Sequence, residues 1–254
     1  MAFDETSDQA TDQETPSTVP PPITNPWTLF LAVSHYVKRV LLHGVTPGTG
    51  KTTAGLALAD AKQAESISIT LTDGMMATDL LGTLLPSGPG QVKWHDGPVA
   101  SAIRRAMHGL PTVLIMNEID HAGPDAAHIC YAVLEASGKS GSFTLSTGEV
   151  LSVTDNLIVV ATMNPDPADV LPEPVLNRFQ VVIDVGPHVS PMILEALPPH
   201  FRSMVADGRM AAREAFALIS LTGAGCDPFV AVQAVLGTER MADFGDALAI
   251  SLAS

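Results

Sequence analysis

The sequence predicts an α/β fold: a three-layer αβα sandwich with a parallel five-stranded core sheet, followed by a small helical region at the C-terminus. Three observations predict it. Five short apolar runs are almost uninterrupted, as strands that are buried on both faces of a sheet must be. Stretches of helical length separate these runs, as crossovers between parallel strands require. After Gly186 no strand pattern recurs, so we expect only helices there.

The predicted elements follow one another in a regular order. Asn25 and Pro26 begin the first helix, because Asn caps helices and Pro is favoured at their first position. A hairpin over residues 143–153 precedes the fourth core strand, with its turn at Thr147 and Gly148. The core strands are predicted at 40–45, 67–71, 113–116, 157–161 and 181–185, and the crossover helices at 52–63, 98–108 and 125–136.

The composition supports a sizeable core and argues against several classes of protein. Of the 254 residues, 46% are hydrophobic, yet no apolar run reaches the ~20 residues of a membrane-spanning helix. The acidic start gives no secretory signal pattern, and two cysteines form no disulfide framework, so we expect a cytoplasmic protein without a membrane partner. The net charge of -14 argues against nucleic-acid binding, because such a surface repels phosphates.

We divide the chain into three expected parts. Residues 1–25 hold five acidic side chains, four prolines and no Lys or Arg, which predicts a disordered tail. Residues 26–186 contain all the predicted strands and form the expected αβα domain. Residues 187–254 form a separate, smaller helical domain.

A glycine-rich loop directly follows the first predicted strand and opens a helix. In this setting backbone N–H groups turn toward a phosphate, and the helix dipole attracts it. Lys51 is expected to reach the β- and γ-phosphates of ATP and the Thr52 hydroxyl to bind Mg²⁺. The usual first glycine of this P-loop pattern falls on Val45, and a glycine-rich turn that binds nothing is the alternative. The predicted nucleotide-binding residues are Thr46, Pro47, Gly48, Thr49, Gly50, Lys51, Thr52 and Thr53.

Two further predicted strands end in polar side chains. Asn117 and Glu118 follow the third strand, where a P-loop NTPase places an Asp that holds Mg²⁺ and a carboxylate that polarises the attacking water. Asn117 replaces the usual Asp, so we expect slow hydrolysis. Asn164 follows the fourth strand and is expected to orient the water. The alternatives are polar residues that merely cap a strand or form a turn.

These motifs resemble those of the AAA+ ATPases, and within them the MoxR-like branch that is grouped with the dynein-related AAA domains. The resemblance covers about residues 38–186 and rests on GVTPGTGKTT, VLIMNEIDHAGPD, VVATMNP and LPEPVLNRF. It implies that residues 187–254 form a lid, and that subunits form a ring, usually a hexamer, with ATP between them. By position Arg178 matches the arginine finger that reaches a neighbour's γ-phosphate, and Arg213 loosely matches the second sensor. The alternative for Arg178 is a pair with a carboxylate such as Glu173.

The resemblance implies a chaperone-like ATPase that remodels a protein client or a von Willebrand factor A-type partner. Two other classes remain open: a nucleotide-gated scaffold that hardly hydrolyses ATP, and a subunit of a DNA-processing motor. Lys93, Trp94 and His95 lie in a Gly/Pro-rich stretch, residues 86–98. We predict a loop there, which either faces the pore of a ring or is anchored by its Trp.

Overall fold

The structure is a computed structural model that describes residues 23–136, 141–165 and 173–253. The predicted tail therefore lies outside the described residues, except for residues 23–25. The central sheet has five parallel strands in the order β2-β5-β8-β1-β9, which confirms the predicted fold class. Its strands are β1 (Arg39–His43), β2 (Glu65–Thr70), β5 (Thr112–Asn117), β8 (Leu157–Met163) and β9 (Val181–Asp184).

Helices cover both faces of this sheet, as the sequence predicts. On one face α1 and α2 pack against the sheet through Trp27, Phe30 and Leu58. On the other face α4 and α5 bury Ile103 and Val133. The helices of this region are α1 (Pro26–Val33), α2 (Lys51–Ala61), α3 (Ala77–Leu81), α4 (Pro98–Met107), α5 (Pro124–Glu135) and α6 (Glu173–Leu176).

The first helix begins where the sequence predicts. Asn25 is its N-cap, and the Asn25 side chain accepts hydrogen bonds from the backbone N–H groups of Trp27 and Thr28. The indole Nε1 of Trp27 donates to the carbonyl of His188 at 2.9 Å. This contact ties α1 to the segment that follows β9.

Two antiparallel hairpins extend from the sandwich. One, β6 (Ser142–Thr144) and β7 (Val150–Ser152), was predicted. The other, β3 (Gly82–Gly88) and β4 (Gln91–Asp96), stands where we expected a loop over residues 86–98. The proline and glycines of that stretch hid its strand pattern; Trp94 packs against the core while Lys93 and His95 are exposed.

The C-terminal region is helical, as predicted. Its helices are α7 (Pro191–Ala196), α8 (Pro199–Ala206), α9 (Ala212–Gly223) and α10 (Pro228–Ala253), with an interruption at Gly237. They bury a cluster of their own around Phe201, Leu218 and Val232. Among the described residues, no helix combines the length and apolar character needed to cross a membrane.

Candidate functional site

The carboxyl ends of β1, β5 and β8 meet at one edge of the sheet and border a cleft of about 260 Å³. The loop after β1 forms one wall, and the residues that follow β5 and β8 form the other. Two side chains that we did not predict also line it: Thr162 of β8 and Ile193 of α7. The predicted site residues that line the cleft are Pro47, Gly48, Thr49, Gly50, Lys51, Thr52, Thr53, Asn117, Glu118 and Asn164.

The glycine-rich loop has a backbone that requires its glycines. Gly48 and Gly50 have φ values of 75° and 103°, in the region that other residues rarely adopt. A Cβ atom on Gly50 would also lie 2.7 Å from Cβ of Ser190. Gly50 is the N-cap of α2, where no side chain of the described protein makes a capping hydrogen bond and the first turn holds no acidic residue. The positive end of α2 therefore faces the cleft, and no acidic residue of its own first turn neutralises it.

The first glycine of the P-loop pattern is expected at position 45 but stands one residue earlier, at Gly44. A Cβ atom on Gly44 would lie 3.0 Å from Cγ2 of Val185 and 3.2 Å from the backbone nitrogen of Gly186. The backbone of the loop therefore approaches the end of β9 closely at residue 44, where a glycine stands. Val45 is 47% exposed, so its side chain points away from this contact and is compatible with the loop.

Lys51 is buried in the loop, and among the described residues its Nζ has no acidic hydrogen-bond partner. Its side chain is 6% exposed, and Nζ donates to the carbonyls of Gly44 and Thr46, both at 3.1 Å. Burial lowers the pKa of the Lys51 ammonium to about 8, and the more distant charges of Asp120 and Asp184 oppose this shift. An ammonium held by neutral oxygens can exchange them for phosphate oxygens with a net electrostatic gain.

Asn117 is fixed by hydrogen bonds on both sides of its amide. Its Oδ1 accepts from the Thr52 hydroxyl at 2.6 Å and from the Thr162 hydroxyl at 3.3 Å. Its Nδ2 donates to Oγ of Ser68 at 3.0 Å and to the carbonyl of Ile69 at 3.3 Å. Because that carbonyl can only accept, the amide oxygen must face Thr52. The cleft thus presents two adjacent oxygens, the ligand type that Mg²⁺ prefers.

Glu118 and Asn164 line the wall of the cleft that the ends of β5 and β8 form. Glu118 has a φ of 56°, and its backbone N–H donates to Oγ1 of Thr162 at 3.4 Å. A left-handed conformation costs a glutamate energy and is frequent at functional sites. Oδ1 of Asn164 is buried without a hydrogen-bond partner among the described residues. A buried acceptor of this kind fits a site that is completed by a ligand or water.

Three predicted site residues do not line the cleft: Thr46, Arg178 and Arg213. Thr46 belongs to the glycine-rich loop, where its carbonyl accepts from Nζ of Lys51. Arg178 precedes β9 and therefore lies at the opposite edge of the parallel sheet from the glycine-rich loop, which follows β1. Its ion-pair partner is Glu135 at 2.6 Å, not the predicted Glu173. Arg213 is an exposed residue at the start of α9 and does not line the cleft, to which the C-terminal helices contribute Ile193.

The unpredicted residue Thr162 joins the two sides of the site. Its hydroxyl donates to Asn117 and accepts from the backbone of Glu118, and it is 3% exposed. A polar residue within an otherwise apolar strand was the sequence signal for it. Ile193 carried no such signal, because its place in the cleft depends on how α7 packs.

Comparisons with known proteins show what the chain is similar to. The family model described as AAA domain (dynein-related subfamily) matches residues 39–179. Midasin of Dictyostelium discoideum is 29% identical over 155 residues, which cover 58% of this chain and 2% of midasin. The chain thus spans a small fraction of that relative. A solved structure of a proposed ATPase from Cytophaga hutchinsonii ATCC 33406 has 20% identity and a TM-score of 0.46, and covers 65% of this chain and 46% of its own. The family match includes the loop after β1, Asn117 and Glu118, and Asn164, and the chain belongs to the dynein-related subfamily of the AAA domains.

Proposed function

We propose that the protein binds ATP with Mg²⁺, hydrolyses it between the subunits of a ring, and uses the energy to remodel a protein partner. One observation carries the nucleotide part of the proposal. The glycine-rich loop, the Asn117–Glu118 pair and Asn164 come from three separate stretches of sequence and line one cleft. The carboxyl edge of a parallel sheet is the usual place for a ligand in α/β proteins.

Each residue of the cleft has a distinct task in this proposal. Lys51 leaves the carbonyls of Gly44 and Thr46 and binds the β- and γ-phosphates. Thr52 and Asn117 hold the Mg²⁺ ion, Asn117 through a bound water. When bound, the ion neutralises charge on the phosphates and orients them.

Glu118 and Asn164 act on the attacking water. Glu118 accepts the proton of the water, and the free Oδ1 of Asn164 accepts a hydrogen bond that orients it. Thr162 links the metal-binding and the water-binding residues, because its hydroxyl contacts the side chain of Asn117 and the backbone of Glu118.

The location of Arg178 supports a ring. In its own subunit Arg178 lies at the far edge of the sheet, so it can serve only the nucleotide of another subunit. The second subunit would complete the site with the positive charge that phosphoryl transfer requires. The MoxR-like resemblance suggests a hexamer, a chaperone-like role, and a protein client or a von Willebrand factor A-type partner.

A nucleotide-gated scaffold is the second candidate, and Asn117 favours it. The amide carries no charge, and its Oδ1 already accepts two hydrogen bonds, so it binds a metal ion more weakly than a carboxylate. A DNA-processing motor has less support. The adjacent Arg104 and Arg105 are both engaged, Arg104 with Asp96 and Arg105 with Glu65.

The test combines an ATP-binding titration with a steady-state ATPase assay. Parent protein should bind ATP in the presence of Mg²⁺ and release phosphate, and Lys51→Ala should bind no ATP while it keeps its fold. Lys62→Ala, at the other end of α2, is the matched control and should bind normally. Binding without phosphate release would favour the scaffold, and unchanged binding by Lys51→Ala would refute the site. A salt-dependent DNA titration tests the motor.

A further inference from the structure

The guanidinium of Arg178 is held by three groups of its own subunit. Nη2 lies 2.6 Å from Oε1 of Glu135, and Nη1 donates to the carbonyl of Pro174 at 2.5 Å. The central carbon lies 4.7 Å from the centre of the Tyr131 ring, over its face. Two residues of α5 and one of α6 therefore define where this cation sits.

These contacts leave Arg178 partly buried at the protein surface. Its side chain is 24% exposed, and its Nε is buried without a partner among the described residues. Both terminal nitrogens already contact an oxygen. Each terminal nitrogen carries a second N–H group, but a phosphate on another subunit that takes the place of the Glu135 carboxylate has to displace it.

The surroundings give the side chain room to move. A groove of about 510 Å³ adjoins it, lined among others by Arg39, Asn177 and Gln180. The carboxylate of Glu135 is 58% exposed, so its pair with Arg178 is close to solvent. An ion pair this close to solvent is weak, so a phosphate can replace the carboxylate.

We infer that Glu135 is a positioning residue that competes with the neighbouring subunit's γ-phosphate for Arg178, while Tyr131 supports the guanidinium from its face. The inference rests on the proposed role of Arg178 between subunits. A carboxylate and a phosphate both match the planar donors of a guanidinium, so they compete for the same N–H groups. In the free subunit Arg178 is bound to Glu135. When subunits assemble around ATP, Arg178 leaves Glu135 and binds the γ-phosphate of the neighbouring subunit.

The experiment measures ATPase activity per subunit across a range of protein concentrations. Glu135→Gln removes the competing charge and keeps the size of the side chain. We expect the protein concentration at half-maximal activity to fall about two- to fivefold, the factor that loss of an exposed ion pair gives. Glu135→Asp, which draws the carboxylate back by one methylene, should shift it in the same direction by less. Glu173→Gln is the matched control and should match the parent, because this carboxylate is close in sequence but makes no ion pair among the described residues.

The outcomes separate this inference from the proposed function. If Arg178→Ala abolishes hydrolysis and Glu135→Gln behaves as the parent, the competition is refuted while the role of Arg178 stands. If Glu135→Gln loses activity at saturating protein, Glu135 serves the active geometry and does not compete. If Arg178→Ala hydrolyses ATP normally, the proposed role of Arg178 fails, and the inference fails with it. Thermal unfolding of each variant excludes a general loss of structure.

Discussion

The Thr52 hydroxyl donates a 2.6 Å hydrogen bond to Oδ1 of Asn117, and this contact joins the first turn of α2 to the end of β5. The opposite side of the same amide donates to the carbonyl of Ile69 on β2. Asn117 is therefore more than an uncharged substitute for the usual Asp. Its nitrogen satisfies a buried carbonyl that no carboxylate could satisfy, and its oxygen is aimed at the expected metal position.

Asn117→Asp should lower the free energy of unfolding and raise the rate of ATP hydrolysis. The variant loses the donor to Ile69 and sets an oxygen against that carbonyl, so the free energy of unfolding without nucleotide should fall by about 1–2 kcal/mol. The restored charge beside Mg²⁺ should raise the rate of hydrolysis, on the order of tenfold. Such a gain requires the activation free energy to fall by only ~1.4 kcal/mol. Urea unfolding and a Mg²⁺ titration of the ATPase rate measure the two effects.

Asn156→Asp is the control for that variant, because Nδ2 of Asn156 also donates to a backbone carbonyl, that of Ala106, far from the cleft. It should lose stability without any change in hydrolysis. A slower Asn117→Asp at saturating Mg²⁺ would show that the amide is required for turnover and would contradict the expected gain.

Lys51→Met should make the protein without nucleotide more stable at neutral pH. Burial lowers the pKa of Lys51 to about 8, which means that the folded state holds its ammonium at a cost in free energy. Methionine has a similar shape and no charge. We expect the free energy of unfolding to rise by about 1 kcal/mol. This is less than the full pKa shift implies, because water in the open cleft solvates the ammonium in part. A gain of this kind is typical when a functional group is removed.

The sign of the pH dependence follows from the same shift. Between pH 8 and 10.5 the unfolded chain keeps the Lys51 proton that the folded protein has lost, so the parent becomes more stable with rising pH in this window. The difference between parent and Lys51→Met should therefore be largest below pH 8 and disappear above pH 10.5. Urea unfolding of both proteins at pH 7.5 and pH 10 measures it, and a difference that is the same at both values would contradict the shift.

Arg178→Ala and Lys51→Ala should each be inactive alone and active when mixed. The first variant has an intact cleft, and the second supplies Arg178 to it. An arginine finger contributes ~10³–10⁵ in rate in GTPases, so its loss should be plain in phosphate release. Absence of any rescue in mixtures that are shown to assemble together would count against action between subunits.

The two cysteines should differ sharply in reactivity. Burial raises the pKa of the Cys130 thiol to about 12, and this side chain has no exposed surface, whereas Cys226 is partly exposed. At pH 8 a small alkylating reagent should modify Cys226 in the native protein and Cys130 only after denaturation. Mass spectrometry of peptides from both samples identifies the modified residue. Equal labelling of both thiols in native protein would contradict the packing of α5.

The sequence predicted the sheet well, because its strands are buried on both faces and leave apolar runs such as 113–116 and 157–161. The hairpin of β3 and β4 was missed, since Pro86 and the turn glycines that follow interrupt a strand pattern whose side chains are mostly exposed. An exposed two-stranded hairpin has no periodic apolar face that a sequence can show.

Within the site, motifs predicted most of the residues that line the cleft, but not Thr162 or Ile193 and not the hydrogen bonds between them. The contact of Asn117 with Ile69 depends on β2 lying beside β5, and the pair of Arg178 with Glu135 depends on where α5 ends. Both are contacts between distant parts of the chain, which local pattern does not determine. Arg178 does pair with a carboxylate, the alternative that the sequence left open, but this carboxylate is Glu135 and not Glu173.

The most direct test of the proposed function is a comparison of ATP binding and phosphate release in the parent and in Glu118→Gln. The substitution keeps the size of the side chain and removes the carboxylate that accepts the proton of water. We expect ATP affinity to be retained and the rate of phosphate release to fall by roughly 10²–10⁴. Unchanged phosphate release in Glu118→Gln would contradict the assignment of this cleft as the site of hydrolysis.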